Sequence, residues 1–95
     1  MPVTRRLTDF ERRVLAALAE ESSGNRWGDA SITRVAANVY RDAPRVRSFA
    51  GRITHTSNAL HALTMLGLAT SALAYHGQRF SLTDAGRAEI ERGAS

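Results

Sequence analysis

Leu66-Gly67-Leu68-Ala69, read together with Phe80-Ser81-Leu82-Thr83-Asp84-Ala85-Gly86-Arg87, decides how this chain folds. Gly67 is placed to stop a helix, because the residue just past a helix end often takes the left-handed backbone that glycine adopts without strain. Leu68 to Tyr75 alternates loosely and predicts a strand. His76-Gly77-Gln78 predicts a turn, and Arg79-Phe80-Ser81-Leu82 predicts a returning strand. Thr83-Asp84 then caps a last helix carrying Ala88 and Ile90, with Gly93 placed to end it.

Upstream of Gly67, Val46, Phe49, Ile53, Thr56, Leu60 and Leu63 keep a three-four rhythm. The rhythm fits one helix of about six turns, entered through Asp42 or Ala43 as cap with Pro44 in the first turn. It also fits a break near Gly51, since glycine inside a helix costs about 1 kcal/mol against alanine. The apolar phase does not slip across Gly51, which favours the continuous helix. Nearer the N-terminus, Thr8-Asp9-Phe10-Glu11 has capping-box spacing, and Phe10, Val14, Leu15 and Leu18 predict a helix from Asp9 to Glu20 or Glu21. Ser22-Ser23-Gly24-Asn25 supplies turn residues, and Trp27 is expected to lie as a lid over the core. Ser31 is placed to cap a short helix with Ile32, Val35, Ala36 and Val39 inward, ending near Tyr40. The expected architecture is mainly α with a small β-hairpin, in the order helix, helix, helix, hairpin, helix. One domain spans 7–93, preceded by an arm at 1–6.

Charge is distributed unevenly along this order. No Asp or Glu lies between Ala43 and Thr83, a block that holds four arginines and all three histidines. The formal net charge is +4, and all 13 basic residues are arginine. A surface kept free of acids suits an anionic partner, although net charge by itself speaks to non-specific binding rather than to fold.

The residues His55-Thr56-Ser57-Asn58-Ala59-Leu60-His61-Ala62-Leu63, with the two stretches quoted first, resemble a winged-helix DNA-binding domain of the MarR and PadR type of prokaryotic transcription regulator. In that family the third helix ends in Ala-Leu and Leu, a Gly-Leu opens the wing, and a Leu-Thr closes it before a helix that starts near Gly-Arg. Ala59, Leu60, Leu63, Gly67, Leu68, Leu82, Thr83, Gly86 and Arg87 match. The resemblance runs from Leu7 to about Ile90, and its wing half is the specific part. Three features depart from it. The Tyr40–Ile53 connection is longer, the wing is shorter and lacks an acidic-basic tip, and no long dimerisation helix follows. The family's effector pocket and standard dimer therefore do not carry over.

The resemblance implies a winged helix-turn-helix that lays its third helix in the major groove and its wing on the flanking backbone. On a continuous helix the face opposite the apolar stripe carries Arg47, Ser48, Gly51, Thr54, His55, Asn58 and Ala62, with Arg52 and His61 at its flanks. Asn pairs bidentately with adenine and Arg with guanine, so Asn58 is the foremost candidate for base reading, with His55 and Arg47 beside it. Ser48 and Thr54 suit phosphates from the same face, with His61 at its flank. Arg41, Arg45 and Arg52 suit phosphates around the helix start. His76, Gln78 and Arg79 suit the backbone or minor groove at the wing.

Other chemistry has little to stand on. The chain has no cysteine, hence no disulfide, thiolate nucleophile or cysteine zinc site. His55 and His61 fall on different sides of a helix with no carboxylate near, which argues against a metal centre. No phosphate loop or oriented triad appears, so the expectation is no enzyme, no cofactor and no small-molecule effector. Without an apolar leader or membrane-length segment, a cytoplasmic location is expected and no membrane partner. A small regulator, a repressor, bound to double-stranded DNA is the expected function. So small a reader makes few base contacts, so a homodimer is expected, with the first and last helices as its surface. The rival reading is a winged-helix protein-interaction module. An RNA reader is less favoured, because few aromatics are available to stack on unpaired bases.

Overall fold

Thr8 starts the first helix as its spacing requires. In a computed structural model that describes residues 6–24, 26–43, 45–74 and 77–94, the Thr8 hydroxyl accepts from the Glu11 amide at 3.1 Å. The Glu11 carboxylate accepts from the Thr8 amide at 3.0 Å in return. Helix α1 runs from Asp9 to Ser23, past the expected end, because the Ser22 and Ser23 hydroxyls turn back onto the carbonyls of Ala19 and Glu20. Its inward face is Val14, Leu15, Ala17 and Leu18. The expected N-terminal arm lies outside the described residues except for Arg6, which is exposed.

Ser31 does two jobs. With Ala30 it forms strand β1 (Ala30–Ser31), which sequence periodicity cannot detect at two residues, and its hydroxyl caps helix α2 (Ile32–Val39) by accepting from Arg34 N at 3.2 Å. The buried Asn38 side chain then ties α2 to the end of α1. Its amide donates to Glu20 Oε1 at 2.8 Å and Glu21 Oε2 at 2.9 Å, and the Asn38 backbone carbonyl accepts from Arg13 Nη2 at 2.8 Å. The hydrogen bond from Asn38 holds the Glu20 carboxyl below the usual carboxylate range, against desolvation and with help from Arg41 and Arg13.

Helix α3 (Phe49–Met65) does not run through from Pro44. Ser48 caps it by accepting from Gly51 N at 3.0 Å, and the chain before it winds through turns joined by Ala43 N to Tyr40 O and Val46 N to Ala43 O. Pro44 itself lies outside the described residues. Gly51 suits this start, since a Cβ there would come within 3.2 Å of the Ser48 hydroxyl. The missing carbon leaves space for the cap. With the first turn set this way, Val46 and Phe49 stand 65% and 55% exposed instead of joining the apolar stripe.

At the far end Gly67 takes φ 79°, Leu68 N donates to Leu63 O and Gly67 N to Thr64 O, closing the helix as expected. Strands β2 (Ala69–Ala74) and β3 (Gly77–Leu82) form an antiparallel hairpin. Gly77 and Gln78 belong to β3, opposite Ala74 and Leu73, so they are paired strand residues and not part of the turn. β1 pairs with the other side of β3, matching Ala30 with Phe80 and Ser31 with Arg79, which gives a three-stranded sheet in the order β1-β3-β2. Thr83 caps helix α4 (Asp84–Ala94), which continues past Gly93. In α4, Glu89 rather than Ala88 turns inward, held by Arg12 and Arg92 at 3.2 Å each.

The described residues are thus mainly helical, with a small antiparallel sheet. The core joins Leu7, Val14, Leu15, Leu18, Val35, Leu60, Leu63, Leu68 and Phe80. Trp27 is not its lid. It stands 72% exposed with the Arg26 guanidinium over its ring. No described helix is long and apolar enough to cross a membrane.

Two contacts lend themselves to measurement. A Cβ at Gly86 would meet the Leu68 carbonyl oxygen at 2.1 Å, so Gly86→Ala should lower unfolding free energy by about 2–3 kcal/mol in denaturant titration. Glu20 has a depressed pKa in the folded state, so its contribution is present above the unfolded value and fades as pH falls through the folded one. Asn38→Ala should therefore destabilise more at neutral pH than at pH about 3, compared by thermal melts at both.

Candidate nucleic-acid interface

Helix α3 shows solvent one continuous ridge: Ala50, Thr54, Asn58, His61 and Met65 are exposed, while Thr56, Ala59, Leu60 and Leu63 are buried behind it. These positions follow the four- and three-residue steps that stack side chains along one helix face. Three of them carry hydrogen-bonding groups, and none is charged. Asn58 offers both a donor and an acceptor at mid-ridge.

The ridge is rotated from the face expected of a longer helix. Gly51, His55 and Ala62 are half-buried at its edge. His55 stacks on Phe10 of α1 with ring centroids 4.2 Å apart, so it serves the α1–α3 junction more than the outer face. His61 stays exposed while its ring sits edge-on to Phe80 at 5.6 Å, which steadies its orientation on the ridge. Arg47 and Ser48 precede the helix. The Ser48 hydroxyl is committed to Gly51 N, and the Arg52 guanidinium donates back to the Arg47 carbonyl over a crevice lined by Thr33, Ala36, Ala37, Phe49 and Ile53.

Several of the arginines have acidic partners. Arg12 and Arg92 hold Glu89, Arg87 holds Asp84 at 2.8 Å, and Arg41 reaches Glu20 at 3.4 Å. Arg79 Nε at 3.2 Å and Nη2 at 2.8 Å both donate to Asp29 Oδ1, with both side chains mostly covered. Arg79 therefore closes the loop before β1 onto the sheet. Arg45 and Arg47 differ: both are exposed in the turn leading into α3, and no ion pair joins either to another described residue. Gln78 is half-buried on β3 opposite Leu73. His76 lies outside the described residues.

Of the twelve residues singled out from sequence, Thr54, Asn58 and His61 share the ridge, and Arg45 and Arg47 gather at its head. Arg41, Ser48, Arg52, His55 and Arg79 have intramolecular partners that limit what else they do. Sequence reasoning missed Val46 and Phe49, which it placed in the core and which stand exposed beside these arginines. The signal that could have found them was Ser48, whose hydroxyl three residues before Gly51 marks a helix start. Among the described residues no cluster of three or more His, Asp or Glu could hold a metal ion. No protein-family model, curated protein or solved structure matches this chain.

Proposed function

We propose that this chain is a winged-helix reader of double-stranded DNA that acts in the cytoplasm as a small transcription regulator, a repressor by occupancy of its site. The observation that carries the reading is the exposed, acid-free ridge Thr54–Asn58–His61 headed by the unpaired Arg45 and Arg47. The element order α1-β1-α2-α3-β2-β3-α4 supports it, because three helices followed by a hairpin and a last helix is the arrangement the sequence resemblance implies, to which β1 is an addition.

In this reading α3 enters the major groove, which accommodates a helix, and Asn58 pairs with an adenine edge while Thr54 and His61 address neighbouring positions. Arg45 and Arg47 take phosphates at the head of the helix and supply the salt-dependent part of the affinity. The hairpin lies along the flanking backbone, with Gln78 facing it and Arg79 acting chiefly as a brace for the hairpin through Asp29.

One observation favours the rival, a protein-docking module: Val46, Phe49 and Met65 put apolar side chains around the same ridge. The two readings separate on salt. For a DNA reader, duplexes selected from a random pool should bind with affinity falling steeply between low and physiological salt, and Arg47→Ala should reduce the log-log salt slope by about one. Asn58→Ala should erase about 1–3 kcal/mol of discrimination at one base pair and leave the slope alone. Affinity indifferent to salt, or an Asn58→Ala preference identical to the parent's, would overturn the base-reading assignment.

A further inference from the structure

The outer side of β2 is an open sheet edge with none of the usual defences. In the strand order β1-β3-β2, β2 pairs among the described residues with β3 alone, and Thr70, Ser71, Ala72 and Leu73 are all exposed. An edge strand presents unpaired backbone amides and carbonyls to any other strand. Proteins usually block this with charged side chains, proline, a bulge or very short length. Here the strand is six residues long, pairs with β3 in unbroken register from Ala69↔Leu82 to Ala74↔Gly77, and contains no proline. No Asp, Glu, Lys or Arg occurs anywhere between Arg52 and Arg79. Leu73 shares the sheet face of Phe80 but reaches beyond its cover, and is 88% exposed.

We propose that β2 is a self-association edge, and that its partner is the β2 strand of a second copy of this chain in antiparallel register. Charge selects this occupant. A two-fold axis lays a strand against its own reversed sequence, so any charged residue near the axis meets its like, and this strand has none to meet. Size points the same way. Ala69, Thr70, Ser71 and Ala72 are small and let two backbones close to the ladder spacing of about 4.8 Å. An axis perpendicular to the sheet keeps the faces in common, so each Leu73 falls over small side chains of the other copy and loses its exposure. The two three-stranded sheets become one of six strands, with the helical layers of both copies on one side. The α1–α4 face suits this role less well, because Arg12, Arg87, Glu91 and Arg92 set charges along its grooves. The inference does not rest on DNA recognition and is tested without DNA.

The test uses the full chain in sedimentation equilibrium over a range of concentrations, alongside Ala72→Lys and Thr70→Lys. Both side chains point away from the Phe80 face, so neither lysine enters the core, and melting of the dilute monomer reports that each variant folds. The parent is expected to dimerise reversibly, and each lysine to weaken the dimer about tenfold or more, as like charges meet across the axis. Hydrogen exchange on the parent gives a readout free of any variant: amides of 69–74 should gain protection as concentration rises, with those of α1 and α4 unchanged. A parent that stays monomeric, a dimer that ignores both lysines, or concentration-dependent protection on α1 and α4 in place of β2 would overturn the proposal.

Discussion

The joint between Gly67-Leu68 and Thr83-Gly86 sets where everything after α3 lies. Thr83 N donates to Leu68 O at 3.2 Å, the Thr83 hydroxyl donates to Gly67 O at 2.7 Å and accepts from Gly86 N at 3.0 Å, and Gly86 packs directly on the Leu68 carbonyl. One threonine thus closes the hairpin at its base, caps α4 and binds both to the end of α3. Each of these groups would otherwise be an orphan at a helix or strand end, where an unmade bond costs about 1–3 kcal/mol once buried. The pattern Gly-Leu, then Leu-Thr, then Gly is the chemical signature of this joint. It brings the hairpin back beside α3, and so places Phe80 in the core under His61.

A second constraint is the sorting of charge. The acids stand on α1, in the loop before β1, in the turn after α2 and on α4, and ion pairs among the described residues bind arginines there or, through Asp29, on β3. The surface pairs contribute little to stability, about 0–1 kcal/mol each. Their larger effect is to neutralise the arginines they hold. Arg45 and Arg47, which no ion pair joins to another described residue, leave positive charge next to an uncharged polar ridge. In the proposed reading, long-range attraction and short-range selectivity are carried by neighbouring but separate residues.

What could be read from the sequence was whatever local hydrogen bonding dictates. Thr8 with Glu11, Ser31 before Ile32, Gly67 after Leu66 and Thr83 before Asp84 each satisfy groups within a few residues of themselves, so spacing alone reveals them. The start of α3 was misjudged because a three-four rhythm records what could be buried, whereas Ser48 and Gly51 decide where the helix can begin. Arg79 looked free because its partner Asp29 is fifty residues away, and only the pairing of β1 with β3 brings them together. β1 is too short to carry a period, and Trp27 found a cation to cover it where a hydrophobic site was expected. Of the candidate site, the mid-helix residues Thr54 and Asn58 were legible and the identity of the engaged arginines was not.

The ridge and the open edge impose different demands that one small domain can meet because they lie on different elements. If the ridge reads DNA as proposed, three uncharged hydrogen-bonding side chains address only a few base pairs, and each correct pair contributes about 1–3 kcal/mol of discrimination. That is too little to single out one site among many, whatever affinity the arginines add. Joining two such ridges by a rigid element doubles the sequence addressed and makes the second recognition event intramolecular, which multiplies affinity without any further contact. β2 suits that role, since its free edge is backbone, while the groups proposed to read bases are side chains on α3. Pairing through the edge leaves Thr54, Asn58 and His61 of both copies uncommitted. Under the two proposals, the absence of charge from Ile53 to Gln78 serves two separate requirements: on the ridge, acids would repel phosphate, and on the edge, charge of either sign would oppose its own image.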